Sequence, residues 1–165
     1  MIIVLGGGPA GRTAAIHLAL NGEDVTLVEK GELGGQCLHN GCMMVCALND
    51  AARAHGSAQN LHDLGIFDTV PDINFTRLLA QMKTIQTKIA GILDEETRGA
   101  GVNIIYGKEG RVVGRSVMVD GEQCPADSVI IATGSHPNVP LVPGITLPGV
   151  FSPHTLSQMP SLPEE

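Results

Sequence analysis

An α/β fold with a parallel sheet, flanking helices and a small antiparallel crossover is what this sequence predicts, and three observations predict it. The apolar run Ile2–Leu5 enters a glycine-rich turn, a helical segment and a second apolar run at 25–28, a β-α-β unit of about the usual ~30 residues. Two further apolar runs, 102–106 and 129–132, are separated from it and from each other by long segments. Residues 111–124 alternate in polarity and contain Asp120-Gly121, a hairpin signal.

Taken in order, Ile2–Leu5 is short and fully apolar, as expected of a parallel strand covered on both faces. Gly6 to Gly8 force a turn, and Pro9 suits the first position of a helix. Residues 10–20 read as helix and stop at Asn21-Gly22. Val25 to Val28 is the second strand, 31–36 a glycine-rich loop, and 42–55 a helix. Residues 56–73 read as irregular, with a break at Pro71-Asp72. Phe75, Leu78, Leu79, Met82, Ile85, Ile89, Ile92 and Leu93 form a helical stripe over 75–98, closed by Gly99 and Gly101. After the strand at 129–132 the chain is proline-rich and without period.

Composition narrows the function. The 165 residues are 43% hydrophobic and 16% charged, a globular balance. There is no Trp, one Tyr and three Phe, so the core is aliphatic and base-stacking platforms are scarce. A net charge of −7 without a basic run argues against nucleic acid as a partner. An anionic ligand would have to be held by backbone N–H groups rather than by bulk charge. No stretch is long enough for a membrane span, and the N-terminus lacks a basic leader. The expectation is a cytoplasmic protein, with no membrane partner.

Gly6-Gly7-Gly8-Pro9-Ala10-Gly11 fits G-x-G-x-x-G in the required setting, after a strand and opening a helix. There Gly6 makes the turn, Gly8 admits a pyrophosphate, and Gly11 lets helix and strand pack closely, while Pro9 and Ala10 open the helix whose N–H groups face the phosphates. Glu29 ends the second strand near the offset of ~20 residues at which a carboxylate accepts from a ribose hydroxyl. The site expected is a dinucleotide site in a Rossmann-like domain.

The second motif is Gly34-Gly35-Gln36-Cys37-Leu38-His39-Asn40-Gly41-Cys42. Three of the four cysteines, Cys37, Cys42 and Cys46, fall within ten residues, the fourth being Cys124. A close cluster in a cytosolic protein points to redox or metal chemistry, and two inert buried thiols are the bland alternative. C-x₄-C-x₃-C with His39 is a poor match to zinc spacing, so no metal site is expected. Two thiols this near in sequence are able to close a small disulfide loop.

With Asp127-Ser128-Val129-Ile130-Ile131-Ala132-Thr133-Gly134-Ser135 added, the chain resembles the FAD-binding and redox-disulfide part of the pyridine nucleotide-disulfide oxidoreductases, the dihydrolipoamide dehydrogenase and glutathione reductase family. The resemblance runs over nearly the whole chain. It implies FAD as the bound dinucleotide, Cys37 as the interchange thiol and Cys42 as the thiol against the flavin. It further implies flavin contacts from Gly35, Gln36 and Ala132-Thr133-Gly134, with Lys30 beside the ribose carboxylate and Glu109 touching adenine through its backbone. Where the family continues Ile-Pro-Ser-Lys, this chain has Met43-Met44-Val45-Cys46, so Cys46 stands at the flavin-tuning lysine and a fixed positive charge is missing. Cys46 reads as a small apolar filler, and His136 as a solvated loop residue.

The resemblance also implies an organisation. Residues 1–150 would be the N-terminal portion of an FAD-binding domain, with the redox motif at 34–46, and 151–165 a linker toward an NAD(P)-binding domain. The complete protein would be a homodimer that passes electrons between NAD(P)H, FAD, the Cys37–Cys42 disulfide and a small disulfide or dithiol substrate. These 165 residues alone are expected to be a monomer or weak dimer that holds FAD weakly or not at all and does not turn over. Competing readings are a non-disulfide FAD oxidoreductase and a flavin- or dinucleotide-binding subunit of a split enzyme.

Overall fold

A computed structural model of the chain describes residues 1–114 and 116–163. The elements run β1 (Ile2–Leu5), α1 (Pro9–Leu20), β2 (Val25–Glu29), α2 (Gly35–His39), α3 (Cys42–Asp63), α4 (Phe75–Gly99), β3 (Asn103–Tyr106), β4 (Gly110–Val113), β5 (Ser116–Val119), β6 (Glu122–Cys124) and β7 (Ser128–Ile131), followed by a 3₁₀ turn at Leu156–Gln158. They form two compact units that interleave along the chain. One comprises Met1–Cys37 and Thr87–His136, the other Leu38–Gln86 and the chain from Pro137 onward. Of the linker expected at 151–165, residues 164 and 165 lie outside the described residues.

The first unit is the α/β body. Its four strands pair in the order β3-β2-β1-β7, all parallel. The apolar runs are explained by cover on both faces. Val4, Val25 and Leu27 pack with Ala15 of α1 and with Leu33, Val102 and Ile104 on one face. Ile3, Leu5 and Val28 pack with Val117 and Val119 of β5 on the other. The second cluster shows why the small sheet exists. β4, β5 and β6 form an antiparallel meander that lids the open face of the parallel sheet. The turn between β5 and β6 sits at Asp120-Gly121, as the sequence indicates, and Asp120 takes a φ of 55°. Chain order and spatial order diverge at β1, which has β2 on one side and β7 on the other. In open α/β sheets that reversal leaves a crevice at the carboxyl ends of the strands.

Three sequence expectations need correction. Residues 56–63 are helical, because α3 runs unbroken to Asp63. Gly56 adds no packing defect there, Ala58 is buried, and Gln59 donates to Asp63 at 2.8 Å. The stop comes later, at Gly65 with φ 71°, where the N–H groups of Gly65 and Ile66 close on the carbonyls of His62 and Leu61 in a Schellman motif. The glycine-rich loop at 31–36 gives way at Gly35 to the five-residue α2. On α4, Ile85 and Ile92 are exposed, while Gln86 and Thr97 are buried.

In the first unit, the buried Thr97 has a structural explanation. Its hydroxyl donates to the Leu93 carbonyl at 2.5 Å and accepts from Nε of Arg12 at 2.9 Å, while the guanidinium also pairs with Glu96. Arg12 therefore joins α1 to α4 through a satisfied network. A second tie joins α4 to β3. The Tyr106 hydroxyl donates to Asp94 at 2.6 Å, Arg98 pairs with the same carboxylate at 3.0 Å, and its guanidinium lies 5.8 Å from the Tyr106 ring centre.

This tie should shape acid stability. The Tyr106 hydroxyl, then Arg98 against the opposing effect of burial, hold the Asp94 carboxyl below its ordinary value. Burial first, then Asp94, push the Tyr106 phenol up. A depressed carboxylate stabilises the fold above its unfolded value of ~4, and that contribution is lost as pH falls through the folded value. A raised phenol does the reverse, its contribution fading as pH climbs past ~10. Asp94→Asn is expected to lower neutral-pH stability by about 1 kcal/mol, with the deficit closing as pH falls through the lowered folded value of Asp94. Urea unfolding at stepped pH checks this, and a deficit that stays constant down to the acid limit would rule it out.

Candidate functional site

The crevice is built around Gly6, Gly8 and Gly11, and the three glycines differ in what the fold asks of them. Gly6 takes φ 101°, and a Cβ there would meet the Ala132 carbonyl oxygen at 2.3 Å. A Cβ on Gly11 would lie 1.9 Å from the Gly6 carbonyl oxygen and 3.0 Å from Cβ of Ala132. These two are demanded by backbone and packing. Gly8 has φ −68° and ψ 179°, a conformation open to any residue, and a Cβ there would touch only the Gly35 Cα, at 3.8 Å. Neither strain nor crowding explains its missing side chain. The open space beside it lies where α1 begins, with Pro9 at N1 and no side-chain cap. Past Pro9, the backbone N–H groups of Ala10 and Gly11 precede the first helical acceptor bond, from the Arg12 N–H to the Gly8 carbonyl at 2.9 Å, and a helix start of this kind suits an anion.

Two further segments close on the loop. Gly34 donates its N–H to the Gly7 carbonyl at 3.1 Å, and Gly35, with φ 60°, comes so near that a Cβ would sit 2.8 Å from the Gly8 Cα. The exit of β7 crosses the other flank, where the Ala132 N–H bonds the Leu5 carbonyl at 2.8 Å. The Gln36 amide donates to the Ser135 carbonyl and so joins these two segments just past Thr133 and Gly134. Residues 6–11, 34–36 and 132–135, which the sequence singles out separately, thus share one region of the first unit.

Glu29 ends β2 and turns its carboxylate onto the loop. One oxygen accepts from the Gly7 N–H at 2.5 Å and the other from the Gly31 N–H at 2.7 Å. A carboxylate has about four lone-pair positions, so ribose hydroxyls could still be accepted there. Beside it opens a cleft of about 290 Å³ lined by Gly6, Glu29, Lys30, Glu109 and Thr133, among others. Lys108 and His136 also line it, and Lys108 carries no signal in the sequence. His136 is exposed, like the loop residue it reads as. The cleft's cations have acidic neighbours: Lys30 lies 3.9 Å from Glu109, and Lys108 binds Asp120. Asp120 also donates its N–H to the Glu109 carbonyl at 3.2 Å.

The cysteines are thiols in this structure. Cys37 lies in α2, Cys42 is the first residue of α3, and Cys46 stands one turn further along it. All three are exposed, which excludes inert core thiols. It also corrects the reading of Cys46 as a filler, because Met44 is the buried side chain of that turn. As i and i+4, Cys42 and Cys46 share a helical face. Among the described residues no cluster of three or more His, Cys, Asp or Glu side chains is placed to hold a metal ion. Sequence inspection missed the buried Gln86, whose amide binds the backbone between Cys37 and Cys42. Its place in the stripe, four residues after Met82 and three before Ile89, was the available signal.

Known proteins resemble this chain in sequence and in fold. Dihydrolipoyl dehydrogenase of Staphylococcus aureus is 37% identical over 139 residues, covering 82% of this chain and 30% of that enzyme. The Acholeplasma laidlawii dihydrolipoyl dehydrogenase is 33% identical over 151 residues, covering 87% and 43% respectively. Among solved structures, the HOCl-induced flavoprotein disulfide reductase RclA from Escherichia coli superposes with a TM-score of 0.79 at 24% identity, over 99% of this chain and 35% of that one. The chain thus spans roughly a third of the length of such relatives. The family model of pyridine nucleotide-disulphide oxidoreductases matches residues 1–162, and by that match the chain belongs to this family.

Proposed function

We propose that this chain supplies the FAD-binding and disulfide-bearing part of a flavin-dependent oxidoreductase that uses NAD(P)H and acts on a small disulfide or dithiol. Gly8 carries the reading: it is the loop glycine that nothing in the fold requires, and its open side lies at the start of α1. The ADP half of FAD would take the crevice, with pyrophosphate on the Gly8–Gly11 turn, ribose on Glu29 near Lys30, and adenine by the Glu109 backbone. Gly35, Gln36, Ala132, Thr133 and Gly134 would border the flavin half, and by the family resemblance Cys46 takes the sequence position of the flavin-tuning lysine. Residues 1–150 would belong to the FAD-binding domain, and 151–165 would lead toward an NAD(P)-binding domain.

Bound there, a flavin supplies two-electron exchange between a nicotinamide and a dithiol. The chain's own chemistry is thiol exchange. The Cys37 thiolate attacks the substrate S–S bond, forming a mixed disulfide and releasing one substrate thiol. Cys42 then attacks the Cys37 sulfur, releasing the second thiol and leaving the Cys37–Cys42 bond. Two electrons have passed to the substrate. Exposure of both cysteines supports this role, since exchange requires access. The complete protein is proposed to be a cytoplasmic homodimer. No helix among the described residues is long and apolar enough to cross a membrane.

Two experiments follow. Gly11→Ala should destabilise the fold by several kcal/mol, about the range of severe overpacking, whereas Gly8→Ala should change unfolding by less than about 0.5 kcal/mol. Yet Gly8→Ala should weaken binding of FAD, and of ADP as its competitor, by about tenfold or more, since a methyl group would fill the pyrophosphate approach. Unchanged affinity in folded Gly8→Ala, measured by fluorescence titration, would remove the assignment. The second experiment is the visible spectrum with saturating FAD before and after dithiothreitol. A long-wavelength thiolate-to-flavin band should appear on reduction and vanish in Cys42→Ser. Bound flavin without that band in the unmodified chain would point to a flavoprotein that is not a disulfide reductase.

A further inference from the structure

The backbone between Cys37 and Cys42 is held by a side chain that hydropathy would not place in a core. Gln86 of α4 is 4% exposed. Its Nε2 donates to the Leu38 carbonyl at 2.9 Å and to the His39 carbonyl at 3.1 Å. These are the last two residues of α2, where carbonyls have no partner within the helix. A primary amide carries two N–H donors on one nitrogen, so a single side chain closes two adjacent carbonyls. Burying an amide is unfavourable unless its hydrogen bonds are made. The stripe around it is met by Met82 and Ile89, and an apolar residue would continue that packing without the polar cost. The amide at position 86 therefore answers a need of the segment it binds.

We propose that Gln86 is a positioning residue for the Cys37/Cys42 couple. It fixes the chain between the two thiols while they are reduced, so closing the S–S bond does not have to order that chain as well. The inference rests on the assignment of Cys37 and Cys42 as the exchanging pair. In the closing reaction the two thiols lose two electrons and two protons. With oxidised glutathione as oxidant, its S–S bond breaks and two glutathione thiols are released for each protein disulfide formed.

The test is the dithiol–disulfide equilibrium of the chain in glutathione redox buffers, trapped by alkylation and read by peptide mapping of Cys37 against Cys42. In Gln86→Met, which keeps the volume and removes both donors, the equilibrium constant should fall about tenfold, equivalent to a rise of about 30 mV in the couple's potential. In Gln86→Glu, a carboxylate would face two carbonyl oxygens and the fall should be larger. That variant also carries the test if Gln86→Met does not fold. Met82→Ala removes a buried side chain from the same helix and tests for plain destabilisation: melting should drop while the equilibrium constant stays within about twofold. A wild-type constant in both Gln86 variants, or an equal shift in Met82→Ala, overturns the positioning role. Failure of the unmodified chain to form a Cys37–Cys42 disulfide under any buffer poise would instead remove the assignment of the pair, and the inference with it.

Discussion

The close approach of three backbone segments at the carboxyl end of β1 is the constraint on which the first unit depends. Gly6 must turn with positive φ directly under the Ala132 carbonyl, and α1 must start so near that turn that Gly11 has no room for a side chain. These two contacts bring β7 alongside β1 and set α1 across the β1–β2 edge. The small residue at Ala132 belongs to the same constraint, since its Cβ is already the near neighbour of Gly11. The crevice is then a consequence: strands that diverge in connection at β1 cannot both be covered at their carboxyl ends.

Glu29 links that geometry to charge. Its carboxylate accepts one N–H from the glycine turn and one from Gly31, so the end of β2 is clamped to the loop it would serve. A charged acceptor on two backbone donors makes stronger bonds than a neutral one. It also rigidifies a segment rich in glycine, where backbone entropy otherwise opposes order. A role in holding a ribose and a role in holding the loop are therefore compatible at this position, because each oxygen retains capacity for another donor.

Much of this is legible in the sequence, and the reason is physical. The glycine turn, the strand before it, the carboxylate after it and the Ala-Thr-Gly exit each have a local requirement that restricts residue type, so each leaves a mark in the sequence. The parallel sheet and the Asp120-Gly121 hairpin are marked in the same way. The far end of α3 was hidden because polar residues and a glycine hide a helix whose only buried residue there is Ala58. Gln86 and Thr97 were hidden for a deeper reason. Hydropathy ranks them as surface residues, and only the partners, the carbonyls of Leu38 and His39 for one and Arg12 with Leu93 for the other, make burial favourable. Satisfied buried polarity is a property of pairs, and single positions do not display it. Cys46 shows the converse, a residue that suits a core and is found exposed.

The distribution of charge explains how an acidic chain could hold an anionic cofactor. With a net charge of −7 the protein offers no general attraction for phosphate. Near the crevice, Lys30 has Glu109 within reach, Lys108 has Asp120, and Arg12 is committed to Glu96 and Thr97. What remains to face a pyrophosphate is the start of α1, whose N–H groups have no side-chain cap and whose dipole is oriented for negative charge. Binding through fixed backbone dipoles depends on close approach far more than binding to a mobile lysine would. In the proposed site, that dependence would account for a glycine at position 8, where the backbone itself has no need of one. It also means that recognition resides in the shape of the turn, so the contacts that hold the turn, at Gly11, Ala132 and Glu29, are as much part of the site as the atoms that would touch the ligand.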